Sequence, residues 1–240
     1  MRERWRRALA LPREGAAVVE QALLVARSAA RPRDDGARGL RPMGDRTVLF
    51  VHGFMAAGPV FEPMRAHVER TLGVATLDFT YGPMARFEDV AARFAGLADR
   101  YAERGPIDLV GHSLGGLIAR WYVQELGGAR HTRRLVTLAT PHAGTTAARM
   151  APVPLARALR PGSDVIVRLS DTRARARDVA HTAIVAGADR MITPPTSASA
   201  LADAEVHWFD ELGHNELLYD RGVYARVVAA LARPVSAPGT

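Results

Sequence analysis

From Thr47 onward the chain alternates short apolar runs with longer amphipathic stretches. The runs Thr47–Val51, Val74–Phe79, Ile107–Val110, Leu135–Ala139, Ala183–Ala186 and Val206–Phe209 have the length and near-continuous apolar character of buried strands. Between them, Val60–Leu72, Phe87–Arg104, Leu114–Leu126 and Glu216–Leu231 carry helical patterns. Strands joined by helix-length connections require crossovers. The pattern therefore predicts an α/β fold, a compact open parallel sheet of about six strands with helices on both faces. The segment from Thr140 to Thr182 is longer than a crossover needs and rich in Pro, Ala and Arg. Within it, residues 145–180 are expected to form a small helical cap.

Composition narrows the class. The 240 residues suffice for one well-buried α/β domain, and 48% hydrophobic with 24% charged residues is ordinary for a globular chain. The absence of cysteine excludes disulfides, thiolate catalysis and cysteine-bound zinc. The formal charge of +7 is unevenly spread: residues 1–46 hold 11 arginines against 6 acidic residues, leaving the remainder nearly neutral. Every basic residue is arginine, and no aromatic-interleaved basic stripe accompanies them, so nucleic acid is not an expected partner.

The chain divides accordingly into a basic N-terminal helix and linker (1–46), a main domain (47–233) and a flexible tail (234–240). Glu20, Gln21 and Arg27 interrupt the only candidate for a secretory signal, and no apolar run approaches the ~20 residues needed to span a bilayer. A cytoplasmic location, or one peripheral to the membrane, is the expectation. The N-terminal helix has two readings. In one it packs on the domain beside a linker. In the other it is an interfacial helix with arginines toward anionic lipid and Trp5, Leu9, Val18 and Leu23 toward the acyl region.

The candidate chemistry starts at Gly111-His112-Ser113-Leu114-Gly115-Gly116, directly after an apolar strand. Glycines flanking the serine permit a sharp strand-to-helix turn that exposes the hydroxyl at the carboxyl edge of a sheet. A serine nucleophile needs a base, and the base needs an orienting acid. Asp189 ends the fifth run, and His214 follows the sixth in Glu211-Leu212-Gly213-His214-Asn215. Asp210, only four residues before His214, and Asp203 compete with Asp189, which is preferred for its place at the end of a strand. Backbone N–H groups for an oxyanion are expected from Leu114 and from Phe54, in the turn Val51-His52-Gly53-Phe54. His142 beside Pro141 lacks a second ligand at characteristic spacing, so no metal is expected, and His181 is a candidate for the pocket rim.

These motifs, together with Leu138-Ala139-Thr140-Pro141-His142-Ala143-Gly144-Thr145, resemble the α/β-hydrolase fold, and within it compact bacterial lipases and esterases. The resemblance covers Thr47 to Leu231. It implies a serine ester hydrolase that needs no cofactor, with Ser113, Asp189 and His214 as catalytic residues. It also implies a strand order of 4-3-5-6-7-8 in the family's naming, the first two antiparallel strands being absent. Met55, Leu155, Leu159, Val165 and Ile166 are expected to line an apolar acyl pocket, so the substrate is an acyl ester or lipid. Two alternatives are an acyl-thioesterase or acyltransferase using the same residues, with Arg173, Arg175 and Arg177 near a phosphate, and a non-catalytic membrane- or partner-binding module.

Overall fold

A computed structural model of the chain describes residues 14–20, 22–23 and 46–235. Six strands form one sheet: β1 (Thr47–Val51), β2 (Ala75–Phe79), β3 (Ile107–His112), β4 (Thr132–Leu138), β5 (Ala180–Ala186) and β6 (Glu205–Phe209). Their order is β2-β1-β3-β4-β5-β6, and every pairing is parallel. This is the expected α/β-hydrolase order without the two leading strands.

Alternation along β1 shows how the layers arise. Leu49 and Val51 face a core shared with α2 (Phe87–Ala102) and α3 (Leu114–Glu125). Val48 and Phe50 face the opposite core, under α1 (Glu62–Leu72) and α6 (Arg221–Ala232). A period of two in the strand thus feeds two helical layers. The amino edge of the sheet is tied by buried Asp108, whose carboxylate accepts from Arg134 at 3.1 Å and from Arg46 at 2.7 Å. Both guanidinium groups also donate to carbonyls at the end of α6 or just beyond it, Leu231 and Arg233.

The long excursion after β4 folds as short helices, including α4 (Pro154–Ala158) and α5 (Asp164–Asp171). Leu155, Leu159, Val165 and Ile166 are all buried in the same core as α2 and α3, so this region is an extension of that layer. Several boundaries differ from the sequence pattern. The continuous helix expected over Glu216–Leu231 is a 3-10 turn, Glu216–Leu218, followed by a separate helix from Arg221, because the Asp220 side chain accepts from the Val223 N–H at 3.0 Å and starts α6 afresh. Ala139, expected within a strand, turns out of the sheet with φ 44°.

In the N-terminal region, residues 14–20 and 22–23 are helical, with Ala17 buried and Val18 and Leu23 about half exposed. Trp5 and Leu9 lie outside the described residues, as do most of the expected linker and residues 236–240 of the expected tail. Among the described residues no helix is long and apolar enough to cross a membrane.

Candidate active site

Ser113 joins the end of β3 to the start of α3 with φ 54° and ψ −123°, a conformation that costs a non-glycine residue ~1–3 kcal/mol. Its surroundings enforce the turn. A Cβ on Gly115 would stand 2.0 Å from the Val51 carbonyl oxygen, and one on Gly111 would stand 2.5 Å from the Gly116 Cα. Only glycine lets the helix start press this closely against β1 and the strand end. Leu114, as the first residue of α3, has an N–H without an intrahelical acceptor.

The β1 turn closes on the same point, since a Cβ on Gly53 would meet the Ser113 Cβ at 3.0 Å. His52 holds this turn: its Nδ1 lies 2.8 Å from the Gly53 carbonyl, and its Nε2 accepts the Tyr81 N–H at 3.2 Å. The rings of His52 and Tyr81 stack at 4.2 Å, and the Tyr81 hydroxyl donates to the His52 carbonyl at 2.7 Å. Because the Gly53 carbonyl is anchored by His52, the trans-disposed N–H of the same peptide, that of Phe54, points the other way. Tyr81 carried no signal in the sequence, as nothing in the β1 motif foreshadows a partner beyond β2.

Asp189 and His214 meet although 25 residues apart. Asp189 Oδ2 lies 2.8 Å from His214 Nδ1, and both side chains are 2% exposed. The second oxygen of Asp189 accepts from the Met191 and Ile192 N–H groups at 2.7 and 2.8 Å, fixing the carboxylate plane. A carboxylate on Nδ1 requires the proton there, which leaves Nε2 as the accepting nitrogen. The His214 carbonyl lies 3.1 Å from Nε2 of His112, the residue before Ser113, and the two rings are 4.6 Å apart. The imidazole is therefore seated beside the nucleophile turn. Asp203 and Asp210 are exposed, and Asp203 pairs with Arg173 at 3.2 Å.

The remaining candidates are dispersed. Met55 is 69% exposed in the β1 turn, while Leu155, Leu159, Val165 and Ile166 lie in the interior beneath the excursion. His142 and His181 share the Thr137 hydroxyl at 3.1 and 3.2 Å, and Arg120 lies 3.1 Å from His142 Nδ1. That cluster sits inside the α3 layer, which places His181 away from the Ser113 turn. A cavity of about 440 Å³ lies between the start of α2 and residues 154–165, and Ser113, Asp189 and His214 do not line it. Among the described residues no group of three potential ligands could hold a metal.

Burial keeps several histidines neutral. His52 is pushed down to about 4 and His181 to about 3, chiefly by desolvation. His112 and His142 are lowered well below the usual range for the same reason. An unfolded histidine titrates near 6.5, so the unfolded chain binds more protons below that pH and stability falls with acidification. For His52 the loss reaches roughly 3 kcal/mol by pH 4. Asp78 and Asp108, raised by burial, act in the opposite sense but are outnumbered. The melting temperature should decline steadily between pH 6.5 and 4.5, and a constant value would contradict the burial of these rings.

A family model described as palmitoyl protein thioesterase matches residues 48–187. That span holds the β1 turn, the Ser113 turn and five of the six strands. The chain belongs to the palmitoyl protein thioesterase family. For this thioesterase-family chain, comparison with curated proteins returns no match. Solved structures place its fold among lipases. Lipase B of Aspergillus fumigatus superposes with a TM-score of 0.69 at 14% identity, over 87% of this chain and 56% of that one. The family member here thus spans little more than half of that lipase's length. The mature form of a Bacillus licheniformis lipase gives 0.64 at 14% identity, over 80% of this chain and 96% of that one. The lin2722 gene product of Listeria innocua gives 0.61 at 14%, over 80% and 96%. At this identity the likeness establishes an α/β-hydrolase fold and nothing finer. The family match stops before Asp189 and His214, whose pairing rests on geometry alone.

Proposed function

We propose that this thioesterase-family chain is a serine hydrolase of apolar acyl esters, working through an acyl-serine intermediate. The observation that carries the reading is the strained serine turn next to a buried, carboxylate-oriented imidazole. In the first half-reaction the Ser113 oxygen bonds to the acyl carbon while His214 Nε2 takes the hydroxyl proton. Asp189 holds the imidazole and stabilises its charged form. The oxygen that becomes negative lies toward the N–H groups of Leu114 and Phe54. Collapse expels the alcohol or thiol, which receives the proton from His214. Water then repeats the sequence, releasing the acid and restoring Ser113.

An apolar acyl group is supported by the mouth of the site. Met55, Met84 and Met191 are 69%, 70% and 46% exposed, and each lies within about five residues of the carboxyl end of β1, β2 or β5, the edge that carries Ser113. Exposed methionines in the loops of this edge suit flexible alkyl chains. Expected partners are thus acyl esters or lipids, and any peripheral contact with a lipid surface is expected through residues 1–46.

Family membership favours a second reading, cleavage of acyl thioesters by the same residues. A panel of p-nitrophenyl esters and matched acyl thioesters of graded chain length separates the two. The proposal expects hydrolysis of medium or long acyl chains, with kcat/KM for the oxyester at or above that for the thioester. A thioester preference of tenfold or more would favour the second reading. Failure to cleave any of them would remove both.

A further inference from the structure

The loop bearing His214 is held by a residue from far outside the sheet domain. Glu14 lies in the helical N-terminal segment, 201 residues before Asn215. Its carboxylate accepts the Asn215 backbone N–H at 3.0 and 3.1 Å and the Asn215 side-chain amide at 2.7 Å. A further bond comes from the Glu216 N–H at 3.4 Å. Those backbone donors open the 3-10 turn Glu216–Leu218, whose first N–H groups have no acceptor within the turn. Glu14 therefore caps this turn from another part of the chain.

The fit is close on the other side too. Glu216 Oε2 accepts the Gly213 N–H at 2.6 Å, and a Cβ on Gly213 would stand 2.4 Å from Glu14 Oε2. Glycine at 213 thus lets two carboxylates close around the residue before His214. Ala17, one turn further along, is buried, and Glu20 adds to burial in raising Tyr219 and Tyr224, so the segment also lies near the chain that follows the loop. His214 is then constrained by Asp189 on its ring, His112 on its carbonyl, Glu216 on the preceding N–H and Glu14 on the following one. The first three belong to the sheet domain. Glu14 alone does not.

We infer that Glu14 is a positioning residue for the general base: the N-terminal segment completes the hydrolase site by fixing the His214 loop. This rests on the serine-hydrolase reading above. The device is expected to act chiefly on turnover, because every bond of the Glu14 carboxylate goes to the base's loop.

The test uses the full chain with Glu14→Ala and, as a near-isosteric second variant, Glu14→Gln. Three quantities are read: steady-state constants on a short-chain ester, the rate of fluorophosphonate labelling, and hydrogen exchange of the Asn215 and Glu216 amides. For Glu14→Ala the expected result is a kcat and labelling rate lower by about tenfold, the size of one lost cap, with KM within about twofold and faster exchange at both amides. Glu14→Gln, keeping one acceptor oxygen without charge, should fall between. Acetate added to Glu14→Ala should restore part of the rate. Unchanged kcat and labelling in both variants overturn the inference, whether or not exchange changes. A wild-type protein that neither hydrolyses nor labels would instead sink the serine-hydrolase reading and the inference with it.

Discussion

Replacing Ser113 by alanine is expected to lower kcat on a cleavable ester by about 10⁴–10⁶-fold while leaving the fold intact. The magnitude follows from the chemistry. Without the hydroxyl no acyl-enzyme forms, and the N–H groups of Leu114 and Phe54 can only stabilise direct attack by water. The residual rate is the contribution of those donors and of binding. Stability should not fall, because Ser113 carries backbone strain that alanine shares, and its hydroxyl makes no hydrogen bond to a described residue. Asp189→Asn should reach the same order of loss by another route. An amide in place of Oδ2 can present an N–H to His214 Nδ1, reverse the tautomer and deprive Nε2 of its lone pair. Circular dichroism and melting temperature, measured beside kcat, separate either effect from unfolding.

Gly115→Ala should be the most damaging substitution that removes no functional group. The added methyl would lie 2.0 Å from the Val51 carbonyl oxygen and 2.5 Å from that of His52. Both are backbone atoms at the end of β1, so no side-chain rotation relieves the clash. Either α3 retreats from the sheet or the Val51-His52-Gly53-Phe54 turn moves outward. Overpacking of this kind costs about 1–3 kcal/mol, and displacing one oxyanion donor costs about 10²–10³-fold in turnover. The expected result is a lower melting temperature together with a fall in kcat of at least about 10²-fold. Gly116→Ala is a useful contrast, because its methyl would meet the Thr140 side chain and not backbone. A Gly115→Ala protein with wild-type turnover would show that the β1 turn contributes no donor.

Much of the architecture was legible because each strand is a nearly pure apolar run. β1 occupies the expected residues, helix-length spacings predict the parallel crossovers, and the resemblance to the α/β-hydrolase fold implies their order. β4 and β5 start three residues before their apolar runs, with Thr132, Arg133 and Arg134 in β4 and Ala180, His181 and Thr182 in β5, mostly polar residues that read as loop. Arg134 is satisfied by Asp108 and His181 by Thr137, partners on other strands that a local pattern does not reveal. The same reason governs the site. Ser113 announces itself through adjacent glycines, and Asp189 and His214 stand at strand ends where such sites gather. The His52–Tyr81 stack that orients the oxyanion turn joins residues 29 apart, and the Glu14 cap joins residues 201 apart. Neither separation has a period, so although one reading packed the N-terminal helix on the domain, nothing in the sequence pointed to a carboxylate on the His214 loop. Packing against α2 and α3 buries Leu155, Leu159, Val165 and Ile166, a contact between distant segments that a local pattern does not reveal.

The central claim is that Ser113 is an activated nucleophile served by His214. Covalent capture addresses it without knowledge of the substrate. The wild-type chain, treated with a fluorophosphonate and digested, should carry one phosphonyl group per molecule on the peptide containing Ser113, and His214→Ala should label slower by several orders of magnitude. A folded wild-type protein that stays unlabelled, or that labels elsewhere with Ser113 untouched, would contradict the account.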